Sequence, residues 1–163
     1  MDHSEVRQNC IDLCRNFKDS KIIITLTEAM DIVGKYQDKT QSEILDTLTP
    51  AEILADGQKL AALNMNIGMY AGYMNGKVSN RKAAAKLAGA KEYTDIKERL
   101  ESSGAKVVAE HLKKSAELKR YTIEVQATEV EGYANIFKAA TENITEIINM
   151  MKKLCDYLLS EST

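Results

Sequence analysis

Apolar residues recur at spacings of three and four along most of this chain, which is the period of an amphipathic α-helix. The first such set predicts a helix from about Asp2 to Phe17. Its apolar positions are Val6, Cys10, Leu13, Cys14 and Phe17. Free cysteine usually behaves as a small buried hydrophobic residue, so we expect buried thiols here and not a metal site with His3.

The segment from Ser20 to Tyr36 carries two conflicting signals. Its run of β-branched residues, Ile22-Ile23-Ile24-Thr25, favours an extended backbone. The stretch from Glu28 to Val33 has helical character instead. The sequence therefore predicts an extended entry into a short helix.

A clear helix start follows at Thr49-Pro50-Ala51-Glu52. Threonine serves as the N-cap, proline takes the first helical position, and glutamate lies three residues after the cap. We expect this helix to end near Asn75-Gly76 and the pair Ser79-Asn80 to cap the next one. That next helix should kink or break near Gly89 and end at the turn Ser102-Ser103-Gly104.

Three glycines, Gly68, Gly72 and Gly76, are spaced four apart in the helix that begins at Pro50. Each interior glycine costs up to about 1 kcal/mol relative to alanine, so a row of them indicates a close approach of another backbone. The alternative is that the row, together with Tyr70 and Tyr73, forms a flexible platform on which nucleic-acid bases stack. We predict tight helix packing.

Residues 105–159 contain no proline and a single glycine, Gly132, which predicts one long helix or two stacked ones. Apolar side chains in this stretch follow a strict four-three spacing. They are Tyr133, Phe137, Ala140, Ile144, Ile147, Met151, Leu154 and Leu158. Such a seam can lie inside the chain's own bundle or against another subunit. We predict self-association through all of these except Ala140, since heptads of this length usually have a coiled-coil partner.

These patterns predict an all-α fold, an elongated helical bundle with a long C-terminal helix or helix pair that oligomerises. Residues 1–48 would form an acidic helical segment, and residues 49–163 a basic binding region followed by the heptads. The start MDHSEVRQNC lacks the features of a signal peptide. No segment approaches the roughly 20 apolar residues of a membrane span. We therefore expect a cytoplasmic protein that does not bind membranes.

Charge is partitioned along the chain, although the net charge is only −2. Residues 1–56 hold 6 basic and 11 acidic side chains, residues 57–122 hold 13 and 6, and residues 123–163 hold 3 and 7. From Gly57 to Lys91 there is no Asp or Glu. An acid-free basic cluster fits a phosphate backbone, because each contact releases a condensed counterion. An acidic patch on a partner protein, or on this protein's own ends, is the alternative.

The main predicted nucleic-acid contacts lie in this acid-free stretch. They are Lys77, Arg81, Lys82, Lys86 and Lys91. At about 100° per residue, Arg81, Lys82 and Lys86 share one side of a helix. The opposite, apolar side consists of Ala83, Ala84, Leu87 and Ala88. The sequence therefore predicts an amphipathic helix whose solvent-facing side is purely basic.

A second group of candidate contacts follows the turn. It comprises Lys106, Lys113, Lys114 and Arg120. Basic residues here alternate with Glu110 and Glu117, which is typical of a solvated helix face whose charges pair at i,i+4. We expect that interpretation to hold for most of the group.

No catalytic motif is visible. His3 and His111 are the only histidines, and neither has the spacing of a zinc site. The glycine-rich loops of nucleotide-binding proteins and the nucleophile elbow of hydrolases are missing too. We predict a non-catalytic protein with no metal and no cofactor.

The parts follow one another in a distinctive order from Pro50 onward. A helix before Gly76 leads to the alanine-rich basic run 81–86 and Lys91-Glu92-Tyr93, then to the turn and a helical tail from Ala105 to Leu158. This order resembles the UvsY family of phage recombination mediators. The resemblance implies a ring-forming, single-strand-binding protein that loads a recombinase onto DNA coated with single-strand-binding protein. For the acidic first 50 residues it offers no counterpart.

The leading hypothesis is an oligomeric single-stranded DNA-binding protein that acts as a recombination mediator, in the host cytoplasm if it is phage-encoded. One alternative is a small helical inhibitor or adaptor, of a kind found in phages, that binds a host protein through its basic surface. Another is a purely structural helical oligomer, which the acid-free basic run argues against.

Overall fold

The structure, a computed structural model, describes residues 3–16, 19–37, 39–104, 106 and 108–161. Five helices lie in these ranges: α1 (His3–Asn16), α2 (Ser20–Tyr36), α3 (Gln41–Thr47), α4 (Pro50–Ser102) and α5 (Ala109–Glu161). These ranges contain no strand, which confirms the all-α class. Cys10 is fully buried, as predicted. Asp2, Phe17 and the side chains of His3 and Cys14 lie outside the described residues.

The predicted extended entry before residue 28 is wrong, because α2 is helical from Ser20 to Tyr36. Asp19 caps it by accepting a hydrogen bond from the backbone N–H of Lys21 at 3.1 Å. A β-branched residue costs less than about 0.7 kcal/mol in a helix relative to alanine. Burial of an apolar side chain such as Ile22 or Leu26 contributes about 1.5–3 kcal/mol. Burial therefore outweighs local propensity in this segment.

The predicted start of α4 is confirmed by a reciprocal cap. The Thr49 backbone N–H donates to Glu52 Oε2 at 2.8 Å, and the Glu52 backbone N–H donates to Thr49 Oγ1 at 3.3 Å. The Thr49 hydroxyl also donates to the same carboxylate at 2.7 Å. These hydrogen bonds, the backbone one first, lower the pKa of Glu52 below its ordinary value.

The predicted end of this helix near Asn75-Gly76 is wrong, as are the cap at Ser79-Asn80 and the break near Gly89. Helix α4 continues without a break to Ser102, where the predicted turn does occur. Its buried apolar side chains keep a repeat of seven beyond Gly76. The repeat comprises Ile53, Leu60, Ile67 and Met74 in one row and Ala71, Val78 and Ala85 in another. Burial along these rows offsets the helix propensity lost at the glycines.

Contacts divide the chain into two compact units. The first, which we call the core unit, comprises Met1–Gly72 and Asn135–Thr163, and the second, the hairpin unit, comprises Tyr73–Ala134. The acidic helices before residue 49 thus belong to the same unit as the first part of α4. Two contacts tie α2 to α4 there. The Lys35 ammonium and the Tyr36 hydroxyl both donate to Asp56 Oδ2, each at 3.0 Å.

The C-terminal seam lies mostly inside the chain. A single helix, α5, carries it, and its members from Phe137 to Leu154 are buried in the core unit. They are Phe137, Ala140, Ile144, Ile147, Met151 and Leu154. Tyr133, in the hairpin unit, and Leu158 are half-buried. Of the two interpretations that the spacing allowed, burial in the chain's own bundle accounts for these six positions. Self-association through the same heptads remains a prediction.

The predicted tight packing at the glycine row is wrong. A Cβ built on Gly68 would meet only Thr141 Cγ2 at 4.0 Å, and one on Gly72 or Gly76 would meet no described atom within 4 Å. The close approach occurs at Gly89 instead. A Cβ there would lie 3.1 Å from the carbonyl oxygen of Ala116. A side chain at residue 89 would require the backbone of α5 to move by a few tenths of an ångström inside the hairpin unit.

Substituting alanine at two of these glycines separates helix propensity from packing. Both Gly76 and Gly89 are interior to α4, so each substitution gains up to about 1 kcal/mol of propensity. Gly76→Ala should stabilise the fold by this gain alone and so raise the melting temperature. Gly89→Ala should be less stable than Gly76→Ala by about 1–3 kcal/mol, because a backbone carbonyl cannot move aside without separating the helices. Urea unfolding of both variants measures the difference, and equal stabilities would contradict the close approach.

The cap of α4 predicts a pH dependence of stability. The pKa of Glu52 is lower in the folded chain than its ordinary value of 4.5, so the cap stabilises the fold fully above that value. The contribution is lost as the pH falls below 4.5 toward the folded pKa. Glu52→Gln removes the titrating group but keeps an acceptor oxygen. The melting temperature of the wild type should exceed that of Glu52→Gln at neutral pH, and the gap should close under acidic conditions. A gap independent of pH would contradict this account.

Candidate nucleic-acid interface

The hairpin unit consists of the second part of α4, a connection, and the first part of α5. The connection begins at Ser103 and Gly104, and Gly104 has a φ of +69°, in the left-handed region that glycine adopts without strain. The two helices run antiparallel. Lys82 contacts Glu131 far from the connection, and Ser115 donates to Glu92 at 3.5 Å nearer to it.

The predicted orientation of the basic run is wrong in part. Of its predicted apolar side, Ala83, Ala84 and Leu87 are exposed, and Leu87 is 72% accessible. Ala85 and Gly89 are the buried positions. They extend the buried row of Val78. The packing of α4 against α5 therefore determines which side of α4 is buried.

Two of the basic side chains consequently reach across to α5. The Arg81 guanidinium donates to the carbonyl oxygen of Gln126 at 2.7 Å. The Lys82 ammonium forms an ion pair with Glu131 at 2.9 Å. These contacts tie the helices together and reduce what each cation offers to a ligand.

Acidic residues on other helices therefore neutralise part of the positive charge of the acid-free stretch 57–91. Besides Lys82, Lys59 pairs with Glu28 at 3.7 Å within the core unit. Lys77 lies over the ring of Tyr73, 4.5 Å from its centroid, in a cation–π contact. Among the described residues, Lys86 and Lys91 are exposed and form no ion pair.

The second group of cations behaves largely as a solvated face, as predicted. Lys114 pairs with Glu110 at 3.1 Å and the Arg120 Nε with Glu124 at 3.2 Å, both at i,i+4 spacing. Exposed pairs of this kind contribute little to stability, about 0.3–0.5 kcal/mol on a helix. Lys106 and Lys113 are exposed and have no ion pair in the described part of the chain.

Two of the predicted contacts line one cavity together. Lys86 from α4 and Arg120 from α5 border an open groove of about 320 Å³ on the hairpin unit. The rest of its lining is Gly89, Ala90, Tyr93, Ala116 and Glu117. Two cations, one aromatic ring and small apolar side chains thus converge where Gly89 of α4 lies close to Ala116 of α5.

The chemistry of this groove follows from its residue types. Lys86 supplies a mobile ammonium, while the guanidinium of Arg120 has five N–H donors, of which Nε serves Glu124. Half-buried Tyr93 adds an aromatic ring to the lining. Glu117 lines the same groove, and its carboxylate opposes part of the positive charge. Phosphate next to a stacked base matches this arrangement.

Two residues of the groove were missed as binding residues. In the sequence Tyr93 appears only at the end of the basic run, and Gly89 is predicted only to kink or break the helix. A usable signal was present, because Gly89 and Tyr93 are four apart and share a helix face with Lys86. Without the register of α5, nothing in the sequence pairs Lys86 with Arg120.

The structure does not show the alternative predicted for the glycine row. In that alternative Tyr70 and Tyr73 would form a platform on which bases stack. The ring of Tyr70 packs edge-on against Phe137, with centroids 5.1 Å apart, and its hydroxyl donates to Asp19 at 3.3 Å. Tyr70 therefore belongs to the packing of the core unit. Tyr73, in the hairpin unit, is 55% accessible and carries Lys77 over its ring.

Comparisons with known proteins leave the groove to be interpreted from its own geometry. No protein-family model, curated protein or solved structure matches the chain. The described side chains include no cluster of three or more His, Cys, Asp or Glu residues able to hold a metal ion. No helix within the described ranges combines the length and apolar character needed to cross a membrane.

Proposed function

We propose that this protein is a non-catalytic, self-associating single-stranded DNA-binding protein. The groove of the hairpin unit carries the proposal, since Lys86, Arg120 and Tyr93 line it together on a unit that is basic within an acidic chain. Proteins that bind single strands without sequence preference combine a cationic track with aromatic rings on which bases stack. The groove has both elements.

The cations contribute unequally in this proposal. Lys86 and Arg120 bind phosphate in the groove, and Lys91, Lys106 and Lys113 add exposed charge nearby. Lys82 and Arg81 contribute less, because Glu131 and a backbone carbonyl already occupy them. Lys77 and Lys114 are likewise engaged by Tyr73 and Glu110.

The biological role that we propose is recombination mediation. It rests on the resemblance in the order of parts to the UvsY family, which implies a recombinase and a single-strand-binding protein as partners. A small helical inhibitor or adaptor is the alternative. If the chain binds no labelled oligo-dT at low salt but retains a stoichiometric protein partner, the alternative is supported and the DNA-binding proposal fails.

Reversing both groove cations should flatten the salt dependence of binding. For single strands, log K falls with log salt by about 0.7 per phosphate contact. Lys86→Glu with Arg120→Glu should therefore weaken oligo-dT binding at low salt and reduce the slope by roughly 1.4, for two lost contacts. Fluorescence anisotropy over a salt series gives both quantities.

A matched control separates the groove from net charge. Lys138→Glu with Lys152→Glu changes the net charge equally, on exposed positions of α5 in the core unit. This control should leave the slope within the error of the wild type. If both pairs have the same effect, the groove is not the binding site.

Removing the ring of Tyr93 should weaken binding without changing its salt dependence. Stacking contributes about 1–3 kcal/mol per base, so Tyr93→Ala should raise Kd roughly 5- to 150-fold. Tyr93→Phe keeps the ring face and should bind like the wild type. Anisotropy at two salt concentrations tests this, and an unchanged Kd for Tyr93→Ala would contradict stacking in the groove.

A further inference from the structure

The hairpin unit buries few large side chains of its own. Its described buried apolar positions are Met74, Val78, Ala85, Leu112, Ala127, Val130 and Ala134. Three of these are alanines, and Ile96, Leu100 and Ile123 are only half-buried. A helix must bury an apolar stripe against another element to be stable. The hairpin unit is therefore short of core for its length.

A second row, uncharged throughout, runs along the outer side of α4, and Tyr73, Ala83, Leu87 and Ala90 are its apolar members. Its members follow the same spacing of three and four, and all are exposed. They are Tyr73, Gly76, Asn80, Ala83, Leu87, Ala90 and Thr94. At about 100° per residue, Leu87 lies about 180° around the helix from buried Val78. We call this row the α4 outer seam.

Helix α5 carries an equivalent row on its own outer side. Its exposed members are Leu118, Tyr121, Val125, Thr128 and Gly132. Leu118 is 68%, Tyr121 65% and Val125 50% accessible. Val125 lies about 160° around the helix from buried Ala127. We call this row the α5 outer seam. A single exposed leucine needs no explanation, but contiguous apolar rows mark interaction sites.

The charges beside the two seams are complementary. Lys77 and Lys91 border the α4 outer seam, where residues 73–91 contain no acid. Glu117, Glu124 and Glu129 border the α5 outer seam, together with one cation, Lys114. Between Tyr73 and Leu87 the α4 seam has smaller side chains, such as Gly76 and Ala83, which leave room for the larger ones of the α5 seam. Opposite charge and reciprocal side-chain size favour contact of one seam with the other over contact of either seam with itself.

We propose that a second copy of this chain docks its α5 outer seam onto the α4 outer seam of the first. The inference rests on the proposed self-association but places it on the hairpin unit and not on the C-terminal heptads. Because two different surfaces meet, the interface is heterologous, and it closes into a ring or continues as a filament. Lys86, Tyr93 and Arg120 belong to neither seam, although Ala90 of the α4 outer seam also lines the groove.

Two single-face variants test this arrangement in the full-length chain. Leu87→Glu damages only the α4 outer seam, and Tyr121→Glu damages only the α5 outer seam. Sedimentation velocity across the micromolar range should show a wild-type assembly larger than a dimer and each variant alone as a monomer. Mixed together, the variants should form a dimer of one chain of each, because one intact seam of each kind remains. Circular dichroism checks that both variants are helical.

Leu159→Glu provides the matched control, because Leu159 is 69% accessible and lies outside both seams. It should assemble like the wild type. If the wild type assembles and both seam variants do too, the seams are not the interface, although self-association stands. A variant mixture that stays monomeric would overturn the heterologous arrangement. A wild type that is monomeric with and without oligo-dT would overturn this inference and the proposed self-association together, but not the DNA binding measured by anisotropy.

Discussion

The packing of α4 against α5 depends on apolar rows that repeat every seven residues along both helices. In the core unit the rows consist of large aliphatic and aromatic side chains, of which Leu60, Ile67 and Phe137 are fully buried. In the hairpin unit the same register continues with smaller residues, Val78, Ala85 and Gly89. Smaller side chains let the two backbones come close at Gly89 and Ala116, but they bury less apolar area. One register thus gives a well-filled core in one unit and a thin one in the other.

The sequence predicts the helical class and the start of α4 well, because both depend on local chemistry. The Thr49 cap uses atoms within four residues of one another, and so does the turn at Gly104. Errors occurred where tertiary burial opposes a local signal. The β-branched residues of α2 and the glycines of α4 both lower helix propensity by less than burial contributes. Helix propensities of single residues do not include the free energy of that burial.

The orientation of the basic run shows a second limit. Hydrophobicity alone favours the side with Leu87 as the buried side, yet the structure buries the side with Ala85. The choice depends on α5, because the row of Val78 and Ala85 is the one that faces it. The same register explains the cross-helix ion pair. Lys82 and Glu131 are 49 residues apart, so a search for pairs at i,i+4 misses them.

The thin core of the hairpin unit and the position of its groove have a joint consequence for binding. In the proposed assembly, seams on opposite outer sides of the two helices join neighbouring copies, so successive grooves lie side by side. A strand bound in one groove then meets the next at a high effective concentration, and overall affinity can exceed that of a single groove by roughly 10²–10⁴. A shallow groove with one ring and two cations is weak by itself. Several such grooves together bind a strand with high affinity, while the strand still dissociates readily from each single groove.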